Sequence, residues 1–158
     1  MQRYEEAEMN VKEITQVING KTVTFDEYST ALTHSAFIGD IDTCKWLLDH
    51  GTDVDGPDAF SDTALSNAVA RGFLEICRLL LEHGADVNEK DPVEGWTALM
   101  EAARNGDADM CKFLIERGAD VNGVTLLQYA EETDGLERIA KFLKSRSVRQ
   151  IAKVSEKH

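Results

Sequence analysis

A period of 33 to 34 residues constrains this chain more than any other feature. The phrase Thr-Ala-Leu recurs at Thr30, Thr63 and Thr97. One glycine follows at Gly39, Gly72 and Gly106, and a second at Gly51, Gly84 and Gly118. In each series the first interval is 33 residues and the second is 34. Several series in one register mark copies of a single structural unit.

Each copy reads as two short helices. The threonine hydroxyl can accept from free N–H groups at a helix start, and TALSNAVAR or TALMEAARN then forms a first helix with small side chains. The mid-unit glycine ends it. A second helix such as LEICRLLLEH places Ile76, Cys77, Leu79 and Leu80 at helical spacing and stops at His83-Gly84, where glycine takes the left-handed conformation. GADVN and the residues after it form an extended turn into the next unit. One unit cannot bury its apolar helix faces alone, so the units are expected to stack into a solenoid with a continuous core. Before the first unit, Tyr4, Ala7, Val11, Ile14 and Ile18 follow helical spacing and Asn19-Gly20 provides a stop. That pattern predicts an N-terminal capping helix over residues 3–18.

The period also assigns the residues that most resemble a chemical site. Cys44, Cys77 and Cys111 keep the same intervals. Equivalent positions in successive second helices are separated by about 8–10 Å, whereas a disulfide needs Cα atoms within about 7 Å. No closely spaced Cys or His pair provides a zinc motif. The three thiols therefore read as core. His50, His83 and Arg117 share the position before the helix-ending glycine, which suits capping of the last carbonyls. Asp53, Asp86 and Asp120 recur with their turn, and no spacing marks a catalytic carboxylate pair or a nucleotide-binding loop. The reading is of a non-enzyme without catalytic residues, cofactor or metal.

Charge narrows the partners. The net charge is −12, of which residues 29–124 carry −11 and residues 125–158 carry +2. An acidic field repels phosphate backbones and anionic lipid and speeds encounter with basic partners. Nucleic acid and membrane are thus excluded as expected partners, and a basic protein surface is favoured. With 158 residues and 42% hydrophobic composition the chain is expected to form one domain. It has no apolar run of the roughly 18 residues a span requires, and its acidic start, MQRYEEAEMN, is unlike a secretion signal. A cytoplasmic address is expected.

Together these residues resemble the ankyrin repeat, most completely in GWTALMEAARNGDADMCKFLIERGADVN, from Gly95 to Asn122. The resemblance implies an all-α fold, a solenoid of stacked helix-turn-helix units with extended finger loops. Repeats are placed at 26–57, 58–90 and 91–123, a truncated C-terminal capping repeat at 124–144 and a basic tail at 145–158. Two departures stand out. Thr33, Ser66 and Met100 occupy the position where the motif has histidine, which predicts lost hydrogen bonding at the helix starts. The finger EKDPVEGW carries one extra residue.

By the same resemblance, fingers and the exposed ends of first helices line a concave binding face. On this chain those positions are Asp58, Phe60, Asp62, Asn67, Arg71, Glu94, Trp96, Glu101, Arg104 and Asn105. Aromatic anchors among acids suit a basic partner protein, with tryptophan favoured at binding hot spots. The expected function is a protein-protein interaction module, monomeric when free, possessing the size and charge of an inhibitor or immunity-type neutraliser. A self-associating scaffold or chaperone-like adaptor is the alternative.

Overall fold

A computed structural model describes residues 13–26 and 30–121. It begins with strands β1 (Glu13–Ile18) and β2 (Lys21–Asp26), followed by helices α1 (Ala31–Ile38), α2 (Ile41–Asp49), α3 (Ala64–Ala70), α4 (Leu74–Glu82), α5 (Ala98–Arg104) and α6 (Ala108–Glu116). The chain divides into two compact units. The first runs to Ala68 and includes Glu75–Ala85; the second contains Val69–Leu74 and the residues from Asp86 onward.

The expected helix over residues 3–18 is corrected by the hairpin, since Glu13–Ile18 is a strand; residues 3–12 lie outside the described residues. Ile14 and Ile18 fit a helical period, but Thr15, Val17 and Ile18 are β-branched and stiff in the way strands favour. Asn19 and Gly20 both adopt positive φ, 51° and 71°, which makes a two-residue type I′ turn rather than a helix stop. β2 then pairs antiparallel with β1, from Ile18 opposite Lys21 to Glu13 opposite Asp26. One face buries Ile18 and Val23 and packs on α1 and α2; the other exposes Thr15, Val17, Thr22 and Thr24.

Lys21 ties the hairpin to the first helix pair. Its Nζ lies 3.0 Å from Oδ2 of Asp40, which caps α2 by accepting from the Thr43 amide at 3.1 Å and the Thr43 hydroxyl at 2.7 Å. Partial burial pushes the Asp40 carboxyl up, but the Thr43 bonds and Lys21 together outweigh it and hold the carboxyl below its ordinary value. Asp107 caps α6 in the same manner through the Met110 amide.

Helix starts in the first two repeats recover the hydrogen bonding expected to be lost. The Thr33 hydroxyl accepts from the Thr30 amide while the Thr30 hydroxyl accepts from the Thr33 amide, and Ser66 with Thr63 repeats this reciprocal box. In the third repeat Met100 has no side-chain acceptor, leaving one long bond of 3.4 Å from its amide to Thr97. At the other end of α4 and α6, Gly84 and Gly118 have φ of 89° and 94° and the next amides, Ala85 and Ala119, reach back to Leu80 and Leu114. These six-to-one bonds are Schellman closures, and the buried alanines seal them, which explains why Gly-Ala recurs.

Cys44, Cys77 and Cys111 are buried and unbonded to one another. Burial, then the neighbouring Asp40 and Asp107 carboxylates, push the Cys44 and Cys111 thiols up to about 12. An aromatic disulfide reagent should label all three thiols on the order of 10²-fold more slowly in the folded chain than in denaturant, because access to a buried sulfur requires local opening. Fast labelling of Cys77 in a folded sample would contradict this packing.

Ser35 breaks an otherwise regular slot. Its Oγ is the one buried side-chain nitrogen or oxygen among the described residues without a hydrogen-bond partner. The equivalent positions hold Ala68 and Ala102, each 0% exposed like Ser35 itself. Ser35→Ala should raise stability by roughly 1–2 kcal/mol, since it removes an unsatisfied hydroxyl and favours the helix. An unchanged urea midpoint would show that the hydroxyl is satisfied in solution.

Candidate functional site

The two fingers follow one plan. In the first, Oδ1 of Asp58 accepts from the Phe60 and Asp62 amides at 2.9 and 3.0 Å, and the Asp58 amide donates to the Asp62 carbonyl at 2.9 Å. Ser61 takes the tight corner at φ 67°. In the second, Oδ1 of Asp91 accepts from the Val93 and Glu94 amides at 2.6 and 2.9 Å, and the Asp91 amide donates to the Trp96 carbonyl at 2.8 Å. Gly95 at φ 71° serves as the corner, so the extra residue lengthens the tip without changing the closure.

The longer finger delivers Trp96 to the start of α5. There the Arg104 guanidinium lies over the indole, 5.3 Å from its centroid, and its Nη2 donates to Oε1 of Glu101 at 2.6 Å. Glu101 and Arg104 are three residues apart on one helix face, which is why they meet. The indole is half-buried while the Arg104 side chain remains 55% exposed. Three expected site residues thus form one preorganised cluster. Glu101 thus offsets the charge of Arg104 within the chain.

The other expected residues divide by exposure. Arg71, Glu94 and Asn105 are exposed, whereas Phe60 and Asp62 are half-buried on the first finger. Asn67 is 7% exposed, more covered than Glu101, which stands at the same place in the next repeat. Asp58 holds its finger closed through the two amides. Two residues went unnoticed in the sequence. Asp91 has the role of Asp58 and stands 33 positions later, a signal the period already carried. Val93 is 75% exposed at the longer tip, and no sequence rule distinguishes an exposed valine there from a buried one.

Family comparison covers the same segments. A family described as ankyrin repeats in three copies matches residues 6–91, more than half of the chain. The chain is an ankyrin-repeat protein. A second ankyrin description, for many copies, matches residues 74–115 and so reaches the repeat that bears Trp96. No curated protein matches the chain. Ankyrin repeats generally mediate protein-protein interaction and are typically non-enzymatic. In this ankyrin-repeat protein two of the second helices end on a histidine that meets a last-turn carbonyl, while the Arg117 guanidinium lies over the Phe113 ring at 4.9 Å. His50 Nδ1 donates to the Trp46 carbonyl at 2.7 Å with the two rings stacked, and His83 Nδ1 donates to the Leu79 carbonyl at 2.9 Å. His83 Nε2 also lies 3.3 Å from Asp49, linking the second helices of successive repeats. Asn88 provides a second link, accepting from the Asp120 amide at 2.7 Å and donating to the Gly118 carbonyl at 3.2 Å. Among the described residues no helix is long and apolar enough to cross a membrane, and no cluster of three or more His, Cys, Asp or Glu is placed to hold a metal ion. The C-terminal capping repeat and basic tail expected over 124–144 and 145–158 lie outside the described residues.

Proposed function

We infer that this ankyrin-repeat protein binds a basic partner protein and occludes it, as an inhibitor or immunity-type neutraliser. The Trp96–Arg104–Glu101 cluster carries the reading. A half-buried indole fixed by a guanidinium binds at low entropic cost, and its cation is already neutralised within the chain. In the second unit, Arg71, Glu94 and Asn105 accompany it; in the first, Phe60 and Asp62 form a separate contact on their finger. The −11 carried by residues 29–124 favours a basic surface and fast encounter. The module works in the cytoplasm and uses no cofactor.

The partner is identified by capture from the native source and purified, and its affinity is then followed against ionic strength. Affinity that falls steeply with salt supports a basic partner, because exposed charge pairs are screened within about 10 Å at 0.1 M salt. Salt-independent binding would rule out the electrostatic part.

A further inference from the structure

The hairpin carries an edge that the repeats do not use. Ile18 and Lys21 flank the two-residue turn and form a hydrogen-bonded pair, so bonding alternates to Gln16 with Val23 and Ile14 with Phe25. The backbone groups of Thr15 and Val17 therefore point away from β2. Among the described residues nothing else bonds to them. Their side chains are exposed too, Val17 by 72%.

Folded chains guard such edges with charge, proline or a bulge. β1 has none of these between Glu13 and Lys21, where Ile-Thr-Gln-Val-Ile-Asn-Gly runs uncharged. β2 is better protected, with Lys21 and Asp26 enclosing only four residues. We propose that β1 pairs antiparallel with β1 of a second copy of this chain, joining two hairpins into one four-stranded sheet.

The edge suits its own copy. An antiparallel pairing centred on Gln16 sets Thr15 opposite Val17 of the other copy, and Val17 opposite Thr15, two β-branched pairs on the exposed face. Each Glu13 then falls opposite Asn19 of the other copy, so the two glutamates stand at opposite ends of the joint. An uncharged edge offers a basic strand no advantage over this match. A two-stranded ribbon is marginal, whereas four strands lie in the usual range for sheets. The cost is repulsion between two chains of −12 each, although residues 1–28 contribute only −3 of it. Pairing is accordingly weak at low salt and stronger as salt screens the field. The expected free monomer then describes the dilute chain.

Sedimentation velocity of the full chain, from micromolar to roughly millimolar concentration at low and high salt, tests the pairing. The expected result is a reversible dimer that tightens with salt, opposite in sign to capture of a basic partner. Val17→Lys and, separately, Thr15→Lys place a charge on the exposed face at the edge. Each should weaken the dimer by ~10-fold or more while far-UV circular dichroism and the urea midpoint stay unchanged. A chain that is monomeric throughout overturns the proposal, including one that captures some other strand. A dimer indifferent to both substitutions overturns it equally, because the interface must then lie elsewhere.

Discussion

Replacing Leu80 by alanine is expected to lower stability by roughly 2–5 kcal/mol, the range for emptying a fully enclosed leucine site. Leu80 is 0% exposed in α4, with Ile76 and Cys77 one turn earlier at 3% and 0%. Its carbonyl also accepts the Ala85 amide in the closure that ends the helix, so the site is held by backbone as well as packing. Such a site relaxes little when methyl groups are lost, and the cavity term adds to the transfer term. Typical domains are stable by about 5–15 kcal/mol, so the loss is a large fraction of the whole. Urea unfolding by circular dichroism measures it. Leu81→Ala, at a half-buried position on the same helix, should cost clearly less. Equal losses at both positions would mean that α4 does not bury the face described.

Trp96→Ala is expected to weaken partner binding by roughly 30-fold or more, equivalent to about 2 kcal/mol. The substitution removes the indole, and with it the surface over which Arg104 is held 5.3 Å from the ring centroid. Arg104 retains its Glu101 contact on the same helix, so the chain should fold with little loss, as surface changes usually allow. Phe60→Ala combined with Trp96→Ala should abolish capture. Calorimetric titration with the purified partner, alongside an unfolding curve for each variant, separates affinity from folding. Undiminished affinity in the folded double variant would remove both fingers from the binding surface.

Much of this architecture was legible because repeats display their own alignment. The Thr-Ala-Leu phrases locate α1, α3 and α5, and the spacing of Cys44, Cys77 and Cys111 identifies them as core residues before any coordinate is known. Finger chemistry was only half legible. The resemblance places Asp58 on the binding face, and its capture of the finger amides follows from a separate rule, that aspartate two residues before a turn commonly bonds them. Glu101 and Arg104 were both in view, but their joint hold on Trp96 depends on where the longer finger returns.

The hairpin shows where local reading fails. Ile14 and Ile18 satisfy a helical period and, equally, the alternation of a strand, and β1 by itself cannot decide between them. Pairing with Lys21–Asp26 decides, because the Asn-Gly turn brings a second β-rich segment into register at low cost in chain entropy.

The sequence by itself determined the repeat, the family, the order of helices and the identity of the buried cysteines, since each follows from local propensity multiplied by a fixed period. Only tertiary structure decided that the chain enters its repeats through a hairpin, that Asn67 is more covered than Glu101 and that Ser35 lacks a partner. It also decided that Trp96, Arg104 and Glu101 form one cluster. Those outcomes depend on which surfaces meet, and contacts peculiar to one segment leave no trace in a pattern shared by all the repeats.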